Sequence, residues 1–158
     1  MVEISYGLTD RDTLQRLTGL ELLRAMVAGE LPAPPMAERL GFLLAEVEEG
    51  RVAFEGVADA GLLNPLGTVH GGYALTLIDS AAGCAVHSRL AAGTFYTTLE
   101  TKVNFVRAIK PDGARVRCEG TVISLGRQIG TAEARLTSAD GTLLAHGTST
   151  LMIFAARA

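Results

Sequence analysis

The chain has 158 residues, 48% of them hydrophobic, 20% charged and 5% aromatic, and its 14 Lys and Arg against 17 Asp and Glu give a net charge of −3. A chain of this size buries roughly 70% of the surface its unfolded form exposes, so it reads as one folded domain that needs neither disulfides nor a structural metal, and disorder is excluded. A pI near 5.6 and the absence of Trp leave no basic footprint for phosphate backbones and few platforms for stacked bases, which argues against nucleic acid as a partner.

The first ten residues lack a basic stretch followed by an apolar core, and no run approaches the ~20 apolar residues of a membrane span. Two cysteines without a CxxC pair, Cys84 and Cys118, fit a reducing compartment, and His70, His87 and His146 show no metal-ligand spacing. A cytoplasmic protein with no metal is the expectation. The mean hydropathy of +0.29 is high for a monomer, so part of the apolar surface is expected between subunits.

In chain order, Thr9 and Asp10 are candidate N-caps for an amphipathic helix whose stripe runs from Leu14 to Val27 and which Gly29 ends. The following Pro32-Ala33-Pro34-Pro35 cannot continue it. Residues 1–36 are therefore expected to form an N-terminal helix and Pro-rich link, and residues 37–158 the main domain. Two apolar runs meeting at Glu49-Gly50 predict a hairpin over residues 41–58. Residues 71–88 are apolar or small all round with Asp79 as the only charge, the pattern of a buried helix.

Past Gly93 the period changes to two. Leu99, Thr101, Val103 and Phe105 alternate with Glu100, Lys102 and Asn104, and three further runs are punctuated by Gly126 and Asp140-Gly141. An antiparallel meander is expected, with one sheet wrapped round one helix, an α+β plan.

The chemistry-bearing segment is Asn64 to Gly72 followed by Asp79. Gly71 and Gly72 stand where the buried helix begins, so their amides are orphan donors at its positive end, a ready carbonyl-polarising site. A buried carboxylate is costly unless paired, hydrogen-bonded or functional; Asp79 is a candidate base for water or a nucleophile, unless Thr76 or Ser80 merely satisfies it. Eight residues on one helix span about 12 Å, too far for Gly71 and Asp79 to serve one carbonyl and its water, so a shared site across a two-fold is the arrangement in which both take part. His70 reads equally as a cap. Cys84 reads as packing.

Asn-x-x-Gly-x-x-His-Gly-Gly with an Asp seven residues later resembles the hotdog-fold acyl-CoA thioesterases of the phenylacetate-degradation (PaaI-type) family, and the likeness extends through residues 96–105 and 145–150. The resemblance implies an antiparallel sheet around a long central helix, with an extra N-terminal helix here. It also implies dimers with shared active sites, often paired into tetramers, and no cofactor beyond the coenzyme A of the substrate. By position, Gly71 resembles the residue whose amide polarises the thioester carbonyl, Asp79 the catalytic carboxylate, Asn64 a group that places the thioester or the water, and Thr98 a hydroxyl that assists them, with Thr97 competing for that place. His70 matches the motif as well. Gly72, Tyr73 and Arg127 are expected at the substrate, and Arg107 and Lys110 near the coenzyme's phosphates. Hydration of an acyl-CoA, with His70 and Asp79 as an acid–base pair, and non-catalytic acyl-CoA binding are the rival readings.

Overall fold

The computed structural model describes residues 4–156, so the outermost residues of both expected segments, 1–3 and 157–158, lie outside it. Its elements are α1 (Arg11–Arg16), α2 (Gly19–Val27), α3 (Pro35–Leu40), β1 (Phe42–Glu48), β2 (Arg51–Val57), a 3-10 turn (Ala60–Leu62), α4 (Gly71–His87), β3 (Thr94–Phe105), β4 (Arg115–Leu125), β5 (Ile129–Ser138) and β6 (Leu143–Ala155). The strands form one antiparallel sheet in the order β1-β2-β4-β5-β6-β3.

The expected single helix at the N-terminus is two helices. Leu17 is extended, and Thr18 starts a second helix with a capping box, its side chain accepting from the Glu21 N–H while Glu21 returns a bond to the Thr18 N–H. Local capping thus outweighs the continuous apolar stripe. The Pro-rich link also differs from expectation, because Pro35 opens α3, where a missing N–H costs nothing. Gly19 sits against the C-terminal end of α4: its N–H donates to Leu90 O (3.0 Å), and a side chain there would overlap the His87 carbonyl. The N-terminal helices are therefore docked on the main domain.

The meander holds for β4-β5-β6 only. The Asp140-Gly141 turn joins β5 to β6, with Asp140 Oδ1 accepting from Ser138 Oγ (2.6 Å) and Thr142 N (3.0 Å). Between β3 and β4, residues 106–114 form a connection too long for a tight hairpin, and β3 pairs at the far edge with β6 instead. Alternation identifies a strand without naming its neighbour, so this crossover was invisible to periodicity.

Helix α4 lies on the sheet at close range, with Ala81, Ala82 and Ala85 fully buried. Gly120 of β4 makes this possible, since a Cβ there would collide with the Ala81 carbonyl. Leu77, Ile78 and Val86 of α4 join Val52, Leu136 and Leu151 of the sheet as large side chains with almost no exposure. The sheet covers only one side of the helix. Leu75 remains 39% exposed and Asp79 half-buried, so the helix expected to be buried on every side presents an open face. Among the described residues no helix is long and apolar enough to cross a membrane.

Candidate active site

The loop before α4 is organised by Asn64. Its Oδ1 accepts from the N–H of Leu66 (2.9 Å) and Thr68 (3.3 Å), and its Nδ2 donates to Thr68 Oγ1 (2.8 Å). Gly67 takes φ +78°, a left-handed conformation that glycine adopts without strain. Both side-chain ends of Asn64 are thus spent on holding the loop that delivers residues 68–71.

His70 is the N-cap of α4, its Nδ1 accepting from the Gly72 N–H (2.8 Å), while the Tyr73 N–H donates to His70 O (3.0 Å). The amides of Gly72 and Tyr73 are consumed by the cap. Only Gly71 is left: among the described residues its N–H donates to no acceptor, and it lines a cavity of about 280 Å³ with Thr68, Phe105 and Arg107. Of the two glycine amides expected as donors, the structure keeps one, at the end of the helix where partial positive charge concentrates.

Asp79 is held from the neighbouring strand. Thr98 Oγ1 (3.0 Å) and Thr101 Oγ1 (2.9 Å) both donate to its Oδ1, and among the described residues no bond reaches Oδ2. Thr101 also lies 3.0 Å from Ser149 Oγ, whose hydroxyl reaches Glu100 O at 3.0 Å. Neither Thr76, which donates to Gly72 O (2.9 Å), nor Ser80 satisfies the carboxylate.

Two threonines three residues apart cannot share one face of a regular strand. They do so here because β3 bulges: Thr98 pairs with Leu151 and Glu100 with Thr150, so Leu99 is the extra residue. The bulge turns Leu99 outward, 55% exposed, and puts Thr98, Thr101 and Val103 toward the helix. The uninterrupted alternation expected over residues 99–105 therefore fails at its first member. It is also why Thr101 escaped the sequence reading, since parity separates it from Thr98; Ser149 comes beside it only through the pairing of β3 with β6. Thr97 points away and is exposed.

Two residues expected at the substrate lie away from the Gly71 cavity of their own chain. Tyr73 is 4% exposed, packed in the core toward Gly56 of β2 with its hydroxyl unpartnered; burial foremost, and then Asp59, push its pKa up to about 12. Arg127 is exposed on the β4–β5 turn, beside the end of β6 near Ile153, whereas Gly71 lies near Leu144 at the start of β6. Nine residues of strand, about 30 Å, separate these two positions. Arg107 is the arginine that shares a cavity with Gly71.

Below Asp79 on α4, burial drives the Cys84 thiol up to about 12, which outweighs the opposing hydrogen bond from Tyr96. Burial likewise lowers the His87 pKa from 6.5. Cys84 is therefore a protonated, unreactive thiol at neutral pH. Among the described residues no three His, Cys, Asp or Glu side chains gather to hold a metal ion.

The family profile described as the Thioesterase superfamily matches residues 66–145, half of the chain, and this span contains Gly71, Asp79, Thr98 and Thr101. A Halobacterium salinarum protein named as an esterase is 32% identical over 96 residues, which cover 56% of this chain and 62% of that protein, less than two thirds of its length. A phenylacetic acid degradation-related protein from Ralstonia eutropha, described as a thioesterase, superposes with a TM-score of 0.74 at 29% identity, over 82% of this chain and 98% of its own. A Streptococcus mutans protein solved with acetyl-CoA superposes with a TM-score of 0.67 at 25% identity, over 75% of this chain and 92% of its own. With its antiparallel sheet packed against one long helix, its His-capped helix start and this match, the chain belongs to the thioesterase superfamily, as a hotdog-fold member.

Proposed function

We propose that the protein hydrolyses acyl-CoA thioesters, aryl or short to medium chain, to the free acid and coenzyme A, in a site shared between two copies of the chain. One observation carries this reading: Asp79 has one oxygen tethered by two threonine hydroxyls and the other unengaged, while the free amide of Gly71 is eight residues away on the same helix, about 12 Å along its axis. Each chain then supplies half of two sites related by a two-fold. The acetyl-CoA bound to the Streptococcus mutans relative supports a coenzyme A thioester as substrate.

In this mechanism the thioester oxygen accepts from the Gly71 N–H of one subunit. Asp79 of the other takes a proton from water through its free oxygen as the water attacks the carbonyl carbon. Negative charge develops on the carbonyl oxygen, where the amide and the helix terminus stabilise it more than they stabilise the ground state. Collapse of the tetrahedral intermediate breaks the C–S bond, and the departing thiolate receives the proton. Asn64 and His70 act one step back, shaping the loop and the helix start that aim the amide. Arg107, which lines the same cavity, meets phosphate oxygens of the coenzyme in this reading. No resident metal or redox group is needed. Free thiols at Cys84 and Cys118 support a reducing compartment, the cytoplasm.

The test is thiol release from a panel of aryl- and alkyl-CoA thioesters by wild type and Asp79→Asn. Loss of a general base lowers kcat by about 10²- to 10⁴-fold. An Asp79→Asn protein that keeps most of its turnover would remove Asp79 from the reaction, and hydration of an unsaturated acyl-CoA without thiol release would favour the hydratase chemistry.

A further inference from the structure

The N-terminal helices roof a second cavity, of about 230 Å³. Its walls include Leu22, Leu23 and Met26 of α2, Leu44 of β1, Phe54 of β2 and Tyr96 of β3. Well-packed interiors hold few voids larger than a water molecule, and a dry apolar cavity of about 150 Å³ already accepts benzene. This space is therefore large enough for an aryl ring with a short linker, or an alkyl chain of similar bulk.

The two elements that hold the carboxylate, α4 and β3, also wall the cavity. Asp79, Gly83 and His87 follow one another at four-residue steps along one stripe of α4, and Cys84, in the cavity wall, is five residues from Asp79, about 7.5 Å of rise. On β3, Tyr96 and Thr98 face the helix together. Thr98 bonds Asp79, and the Tyr96 ring lies over Gly83, where a Cβ would be only 2.7 Å from its hydroxyl. Tyr96 is thus the partition between the carboxylate and the cavity. Its ring and that of His87, 5.5 Å apart, both line the cavity.

Resting on the thioesterase reading above, we propose that this cavity receives the acyl group of the substrate, so that α2, through Met26, sets the length and bulk of hydrocarbon the enzyme accepts. The thioester carbonyl lies between the Gly71 amide of one subunit and Asp79 of the other, and the acyl group passes Tyr96 into the chain that contributes Asp79. The largely apolar lining selects against a charged acyl group, which would lose its hydration there.

Met26 is half-buried and flexible, so Met26→Trp fills the cavity without replacing the carboxylate or its threonines, and Leu44→Phe does the same from β1. Both are compared with wild type on acetyl-CoA and octanoyl-CoA. The expected result is a fall in kcat/KM for octanoyl-CoA of at least about tenfold, the lower end for excluding methylenes from an apolar pocket, with acetyl-CoA within about twofold of wild type. Equal loss on both substrates, or no loss on octanoyl-CoA, in variants that melt within a few degrees of wild type, overturns the proposal. A calorimetric titration separates this from failure of the hydrolytic reading. In the Asp79→Asn background octanoyl-CoA is expected to bind more tightly than acetyl-CoA, and Met26→Trp to erase the difference. That pattern supports the pocket even if no thioester is cleaved, and equal binding of both ligands refutes it even if hydrolysis is confirmed.

Discussion

Replacing Gly71 by proline deletes one N–H and leaves the helix in place. Gly71 is the first residue of α4, the position where proline is preferred because its missing donor has no intrahelical partner. The preceding His70 already has φ −61° and ψ 135°, the extended conformation that a following proline requires. A Cβ at position 71 would come within 3.1 Å of the Phe105 ring, and Phe105 is 61% exposed and free to give. The caps made by Gly72 and Tyr73 on His70 remain. What disappears is the single free amide at the helix terminus, and removing one oxyanion donor costs about 2.7–4 kcal/mol, or 10²- to 10³-fold in kcat. The assay is steady-state thiol release with melting temperature as the control. Co-expression with Asp79→Asn adds a geometric check, since random pairing makes about half of the dimers hybrids, each with one intact site, and about a quarter of the wild-type rate returns. A Gly71→Pro enzyme with undiminished kcat refutes the role of the amide. Hybrids that stay inactive refute the shared site.

Thr101→Val removes one of the two bonds to Asp79 at nearly constant shape, and a hydrogen bond to a charged group contributes about 1.5–3 kcal/mol; kcat is expected to fall about tenfold or more with KM little changed, and an unaltered kcat would show that Thr98 alone orients the carboxylate. Gly120→Ala forces the sheet away from the Ala81 carbonyl, an overpacking cost of about 1–3 kcal/mol that lowers the melting temperature by several degrees at fixed protein concentration. His87 is held neutral by burial, with its pKa below 6.5 in the folded state. The unfolded chain takes up that proton first, so stability is unaffected above 6.5, falls as the pH drops through 6.5, and levels once the folded-state value is passed. Denaturant midpoints at pH 7.5 and 5.5 are expected to differ more for wild type than for His87→Phe, and equal pH sensitivity would contradict the buried neutral imidazole.

Several features were legible in the residues because they depend on local physics. Helix α4 was readable from an apolar run opened by a cap and two glycines, and the tight turn at Asp140-Gly141 from residues that favour its backbone. The suspicion on Asp79 came from the cost of placing one charge among small and apolar neighbours. The order of the strands was not readable, since hydrophobic alternation is satisfied by any neighbour that covers the same face. Nor was the split at Thr18, where two local bonds compete with a stripe that looks continuous. The site itself lay in between. Its carboxylate and helix terminus could be named from sequence, but the fate of the second glycine amide depended on where the His70 ring turned. The partners of Asp79 depended on the one-residue bulge at Leu99, which reverses strand parity and brings Thr101 beside Thr98. The cavity under α2 needed the N-terminal helices to be folded back on β1 and α4, a long-range contact that no local pattern encodes.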